Sequence, residues 1–438
     1  MSAAGGNGGP DHPVVVAPLA SRYFALPEGA RLEEPAGGSP GATYPRGFVA
    51  SGIVAGLKDS GKPDMGVLAV APEWREKAAS AAVFTTNAFA AAPVVINRTE
   101  TDLAHLQAVV MSSGNANACT GEPGLVVARA MQKACAGALG VPAAAVGLGQ
   151  TGIIGVQLDA ERLAAGARKA AGAVKAGGGP GFDRAIMTTD RFPKMCALEV
   201  GLPEGTVRLG VCAKGAGMIC PAMATMLCVV TTDAAVSSPE MQGLLKRAIT
   251  SSFNRVTVDG EMSTNDSVLF LSSGASGVTP GAEGLRRLGA ALDAMLLRIA
   301  LMMVADGEGA TKIMKVAVTG AEDEAQAMKV ARAIADSPLV KTCMNGQDPN
   351  WGRVISSAGA ALAGRSLPKS ALHLCGVVTV EGGAASPVSD ADQEKLHAGM
   401  KDPEIDIDLE LGLGAASAEI FFADMGHEYV VINAEYHT

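Results

Sequence analysis

The chain predicts a mixed α/β protein made of two lobes, and three observations carry that reading. Its 438 residues exceed what one hydrophobic core sustains, so the length favours two or three domains. Hydrophobic residues make up 48% and charged residues 18%, a globular composition with ample core material. Apolar β-branched runs alternate with alanine-rich stretches of helical period. Aromatics are only 4%, so the packing must rest on Ala, Val, Leu, Ile and Met.

Along the chain, residues 1–45 read as an irregular Gly/Pro-rich lead-in that ends at Pro45. Strand-like runs follow at 65–71, 82–86 and 108–111, the last running into the turn-rich SSGNANACTG of 112–121. Helices are expected at about 124–138 and 158–174. The stretch from Lys175 to Gly181 breaks the pattern and predicts a surface loop. Residues 226–232 predict a buried strand. Ser237-Ser-Pro-Glu240 then announces a helix, with Ser capping and Glu three residues on. A helix near 285–304 is apolar nearly all round and should be buried. From about 310 the chain alternates Val-rich strands (315–319, 375–380) with helices (322–336, 390–400) and ends in a predicted strand, 428–433. This reads as a second, smaller α/β domain.

Several function classes are excluded early. A net charge of −9 and a pI near 5.3 give no basic field for phosphate backbones, and no Lys/Arg stripe is interleaved with aromatics, so nucleic acid is not expected. The most apolar stretch, 290–305, is interrupted by Asp293 and Arg298 and is shorter than the roughly 20 residues that span a bilayer, so no membrane partner is expected. The first twenty residues contain no Lys or Arg and no signal-length apolar run, which makes the cytosol the expected compartment, with a mitochondrial matrix or chloroplast stroma as the alternative. Eight scattered cysteines form no C-x-x-C pair, and six histidines pair neither with one another nor with cysteine. Free buried thiols are expected, with no metal and no cofactor.

The chemistry centres on Ala224-Thr225 in KGAGMICPAMATML, residues 214–227. A threonine hydroxyl needs a base, and an N-terminal α-amine is one of the groups that can serve. That amine titrates at about 7.7–8.0 against about 10.4 for lysine, so scission before Thr225 would create a nucleophile carrying its own base, with Lys214 as an electrostatic aid. In the uncut chain the same hydroxyl could attack the Ala224 carbonyl. The plainer reading is that Ala-Thr merely opens a buried strand, and spacing alone favours it.

Other motifs leave similar alternatives. Gly147-Leu-Gly-Gln-Thr-Gly152 matches G-x-G-x-x-G, but no helix follows at once and the acidic partner about 20 residues on is missing, which argues against a dinucleotide site. A turn presenting the Thr151 hydroxyl and the Gly152 N–H would suit an oxyanion; a simple glycine turn is the alternative. Glu308, in DGEGATK (306–312), is offered at a helix C-terminus, where it either meets a cation or is a solvated loop residue. DPNWGR (348–353) could be a structural turn. The terminal NAEYHT is either a docked terminus or a frayed tail.

Together these segments resemble the ornithine acetyltransferase (glutamate N-acetyltransferase) family, from about residue 45 to the end. The supporting strings are SGNANACTG (113–121), QTGIIG (150–155), IMTTD (186–190), KGAGMICPAMATML, VTVDGEMSTND (256–266), DGEGATK, DPNWGR and NAEYHT. The resemblance implies a layered α/β sandwich of the N-terminal-nucleophile type. It implies self-cleavage at Ala224-Thr225 into an α chain, 1–224, and a β chain, 225–438, that stay together as α2β2. It implies acetyl transfer from N-acetylornithine to glutamate through acetyl-Thr225, with Thr151 and Gly152 as the oxyanion hole. Substrate contacts then fall on Thr188 or its neighbour Thr189, Lys214, Glu308, Asn433 and Thr438, and acetyl-CoA as a further donor stays open. Cys220, Ala222 and the GEM of 260–262 depart from the family's commoner residues. The rival readings are a self-processing amidohydrolase that passes the acyl group to water and a non-catalytic binding protein.

Overall fold

A computed structural model describes residues 21–34, 38–220 and 226–435. Ala224, Thr225 and Thr438 lie outside the described residues. Two compact units emerge, one formed by Arg22–Glu308 with residues 431–435, the other containing Gly309–Val430.

In the larger unit a six-stranded sheet runs in the order Ala30–Leu32, Lys194–Leu202, Gly205–Lys214, Leu227–Thr232, Ser267–Ser272, Ala79–Phe84. A four-stranded sheet is formed by Phe48–Ile53, Met65–Val70, Ala108–Asn115 and Val146–Ile153. Strand side chains alternate between faces, and that period decides the layering. Leu68, Val70, Val109 and Met111 point to one side of the smaller sheet, where they meet Phe84, Leu227, Val229, Leu269 and Leu271 of the larger. Met65, Val67, Ala69, Ala108 and Val110 point to the other side, against the helices Gly121–Leu139 and Ala160–Gly172. Helices Ser238–Thr250 and Ala282–Ala305 lie against the larger sheet. The result is the expected layered sandwich. Leu227–Thr232 is buried on both faces, and for that reason its first four residues read as an unbroken apolar run.

The Ser237 capping box forms as expected. The buried helix is longer than the run read in the sequence. Ala282–Ala305 has 24 residues, enough to cross a bilayer by length and composition, but most of it is buried within the unit as a core helix, and its buried Arg298 pairs with Glu34.

Four sequence expectations need correction. The lead-in contributes the edge strand Ala30–Leu32, which pairs with Lys194–Leu202. The stretch 175–181 is only half a surface loop: Gly178 and Gly179 are buried, and the helix Gly179–Ile186 begins inside it. A Cβ on Gly178 would stand 1.8 Å from the Ala50 carbonyl oxygen, so this close approach requires glycine. Gly147–Gly152 is no turn, since it lies within the strand Val146–Ile153, parallel to Ala108–Asn115. Residues 428–433 belong to the helix His427–Glu435, not to a strand. A short β-branched run carries no period that separates the two.

In the unit containing Gly309–Val430 the strands run in the order Ala416–Ala423, Ile313–Ala321, Glu404–Glu410, Ala371–Leu374, Val377–Glu381, Ala384–Ala385. Helix Glu324–Ala335 packs on the first two. DPNWGR starts the helix Trp351–Ala361, and the Asn350 side chain caps it by accepting from the Arg353 N–H. One buried carboxylate ties the end of Ala416–Ala423 to the start of its neighbour Ile313–Ala321. Asp424 accepts from the Thr311 and Lys312 N–H groups at 2.7 and 2.9 Å, from the Thr311 hydroxyl at 2.5 Å and from Asn345 Nδ2 at 2.8 Å. Asp424→Ala strands all four donors. We expect it to destabilise this unit by about 3 kcal/mol in urea unfolding; a loss below about 1 kcal/mol would mean that water replaces the carboxylate.

Candidate active site

Lys214 ends a strand of the larger sheet and pairs with Leu227, two residues beyond Thr225. Leu227 faces the space between the sheets, and the Lys214 side chain on the same face reaches Thr151 of the smaller sheet, Nζ to Oγ1 3.5 Å. Burial lowers the Lys214 ammonium, and Asp190, Glu308 and Asp266 oppose that shift. Beside Thr151, Gly152 has a φ of +130°, and a Cβ there would stand 2.3 Å from the Gly114 carbonyl carbon. Only glycine fits that position.

The two ends of the segment around Thr225 are both held by VTVDGEMSTND. On the near side Asp259 accepts from the Met218 and Ile219 N–H groups at 2.6 and 2.9 Å, while Val258 N–H donates to the Ile219 carbonyl at 2.9 Å. On the far side Asp266 accepts from the Met226 N–H at 2.9 Å. Burial pushes the Asp266 carboxyl well above its usual range, although the Met226 N–H and Lys214 pull it down.

Glu308 lies two residues past Asp306, the C-cap of Ala282–Ala305. Its carboxylate packs on Gly217, where a Cβ would stand within 2.5 Å, and accepts from Asn433 Nδ2 at 2.9 Å. The structure therefore brings together Glu308 and Asn433, and Lys214 with Thr151 and Gly152, with Glu308 near enough to act on the Lys214 charge. Thr188 lines a cavity of about 370 Å³ with Gly114 and Ile153, and Thr189 is absent from that lining.

The residues that organise these parts are ones the sequence reading passed over. Lys194, fully buried, donates to Asp190 at 2.7 Å and to Asp306 at 2.5 Å. Asp190 also accepts from the Gly215 N–H at 2.7 Å and the Thr188 N–H at 2.8 Å. Arg191 donates through N and Nε to Asp306, each at 3.0 Å. Burial would raise Asp190, but Lys194 and Lys214 outweigh it and hold the carboxyl well below the usual range. Burial raises Asp306 despite Lys194 and Arg191. Lys194 is held above its ordinary value, because the two carboxylates outweigh its burial. The only sequence hint was Asp190 inside IMTTD and Asp306 inside DGEGATK.

Because Asp190 titrates lower folded than unfolded, its contribution is complete above the unfolded value of about 4 and is lost as pH falls through the folded one. We expect Asp190→Asn to cost about 3 kcal/mol at pH 7 by leaving Lys194 half-paired. The unsubstituted protein should lose stability more steeply than the variant between pH 4 and pH 2. Parallel curves in urea unfolding would show that folding leaves the titration of Asp190 unshifted and would overturn this role.

The ArgJ family model matches residues 49–438. Arginine biosynthesis bifunctional protein ArgJ of Nitratidesulfovibrio vulgaris is 44% identical over 394 residues, covering 90% of this chain and 98% of its own. The protein of that name from Symbiobacterium thermophilum is 42% identical over 403 residues, covering 91% and 98%. Among solved structures, ornithine acetyltransferase from Mycobacterium tuberculosis, complexed with ornithine, is 35% identical with a TM-score of 0.39, covering 45% of this chain and 100% of that one. On the extent of these matches, the chain belongs to the ArgJ family.

Proposed function

We propose that this chain is a self-processing acetyltransferase that carries the acetyl group of N2-acetyl-L-ornithine to L-glutamate on Thr225. Membership of the ArgJ family supplies the reaction class, acyl transfer in arginine biosynthesis. The observation that carries the residue assignment is the meeting of Lys214 and Thr151 between the two sheets, opposite the strand that Thr225 precedes.

In this reading the Thr225 hydroxyl first attacks the Ala224 carbonyl carbon. The peptide C–N bond breaks, the departing nitrogen takes the hydroxyl proton, and water opens the resulting ester, leaving a carboxylate on Ala224 and a free α-amine and hydroxyl on Thr225. That amine then takes the hydroxyl proton as Thr225 attacks the acetyl carbonyl of the donor. The Thr151 hydroxyl and the Gly152 N–H steady the oxyanion, each such donor contributing about 3 kcal/mol. Ornithine leaves with the proton on its α-amine, and the α-amine of glutamate attacks the ester in the second half. Thr188 and Lys214 hold the α-carboxylate that both amino acids share. Glu308, oriented by Asn433, takes the ornithine side-chain ammonium, and Thr438 is a further substrate contact. A hydrolase has no need for such an amino-acid subsite, which favours transfer over water. Acetyl-CoA as a second donor, an α2β2 assembly and a cytoplasmic location complete the reading.

Thr225→Ala should abolish both scission and acetyl transfer. Two fragments cut at residue 224 on a denaturing gel of that variant would sink the single-nucleophile mechanism. Thr225→Ser should retain part of each activity, because the hydroxyl and the future amine both remain. Glu308→Gln should raise the KM for N-acetylornithine about tenfold or more while processing continues, read by ornithine release; an unchanged KM would remove Glu308 from donor binding.

A further inference from the structure

An acetyl carrier that serves ornithine and glutamate must accept side chains of opposite charge. Glu308 suits the cation and repels the anion, so the acceptor requires a positive group elsewhere. Lys194 is occupied by Asp190 and Asp306, and Arg191 by Asp306.

The half-buried Lys58 is placed differently. It lines the cavity of about 370 Å³ together with Ser60, Lys62, Gly114, Ile153 and Thr188. Its loop is shaped by Asp64, which accepts from the Ala55, Leu57 and Lys58 N–H groups at 2.6, 2.5 and 3.1 Å. The Lys58 ammonium donates to the carbonyls of Pro63 at 3.0 Å and of Met187, next to Thr188, at 2.6 Å. An ammonium has three donors, and those of Lys58 go to two neutral carbonyls; Asp64 and Asp190 act on its charge without a hydrogen bond to the ammonium. The cavity also adjoins the acyl centre. A Cβ on Gly114 would lie 3.1 Å from Lys58 Cγ, and Gly114 is the residue that Gly152 packs against.

We propose that Lys58 is the subsite for the side-chain carboxylate of the acceptor, selecting a dicarboxylic amino acid over its neutral amide. This assignment rests on the acetyltransferase reading above. Lys62 adds positive charge at the exposed rim, and the exposed Asp59 opposes it. Burial pushes the Lys58 ammonium down to about 8; Asp64 and Asp190 resist, while Lys214 and Lys62 add to the shift. The recognising charge is therefore present at neutral pH and fades on the alkaline side.

The test compares glutamate with glutamine as acceptors, with processed full-length protein and saturating N-acetylornithine, reading ornithine release. The ratio of the two kcat/KM values cancels the chemistry common to both α-amines. Lys58→Met should narrow that ratio at least about tenfold, and Lys58→Arg should restore most of it. In the unsubstituted protein the ratio should fall as pH rises through about 8, an arm that needs no variant to fold. A ratio unmoved by Lys58→Met, or flat from pH 7 to pH 9.5, overturns the assignment. Equal losses for N-acetylornithine and glutamate would put Lys58 on the shared α-carboxylate and overturn it too. Absence of any transfer from N-acetylornithine in the unsubstituted protein defeats the parent reading, and this inference with it.

Discussion

The ammonium of Lys194 is the constraint on which the candidate site depends. It is fully buried, and its two carboxylate partners sit on segments that carry other site residues. Through Asp190 it fixes the turn bearing Thr188 and the backbone of Gly215 beside Lys214. Through Asp306 it fixes the end of the core helix from which Glu308 emerges. An isolated buried charge is costly, and an ion pair in the interior offsets that cost only with close geometry and further hydrogen bonds. Here the backbone N–H groups of Thr188 and Gly215 and the Arg191 side chain supply them. The positioning of the site and the neutralisation of a buried charge are one arrangement.

Such an arrangement explains which parts could be read from the chain. Local signals were legible: the Ser237 capping box, the alanine-rich helices and the β-branched run after Thr225 each act over a few residues. The candidate residues Thr151, Gly152, Lys214 and Glu308 stood out because they lie in distinctive short strings. Lys194 did not, since it lies outside those strings, meets Asp306 across 112 residues and alone resembles a solvated surface charge. The segment 428–433 failed for another reason. Its β-branched residues suggest a strand, but β-propensity expresses packing on a pleated surface, and Val430 is 57% exposed in a helix. Gly147–Gly152 misled through its glycines, which here admit a close neighbouring strand instead of making a turn.

The motif VTVDGEMSTND acquires a physical role that its composition alone does not suggest. Asp259 and Asp266 take N–H groups on opposite sides of Thr225, at Met218 and Ile219 before it and at Met226 after it. The flanking backbone is held in register with the sheet on both sides of the proposed scission point. The GEM of 260–262 lies between these anchors, and Glu261 is exposed.

The sheet order bears directly on what scission at Ala224-Thr225 would do. Leu227–Thr232 and Ser267–Ser272, both after the cut, pair with each other and lie between Gly205–Lys214 and Ala79–Phe84, both before it. Neither fragment then owns a complete larger sheet, and the core between the sheets mixes Phe84, Val109 and Met111 from one with Leu227, Val229 and Leu269 from the other. Separation would expose two strand edges on each side of the insertion and open that core to water, losing roughly 25 cal/mol for every Å² of apolar surface uncovered. Backbone scission can therefore liberate an amine at Thr225 without liberating a chain, because continuity of the sheet across the cut replaces continuity of the peptide.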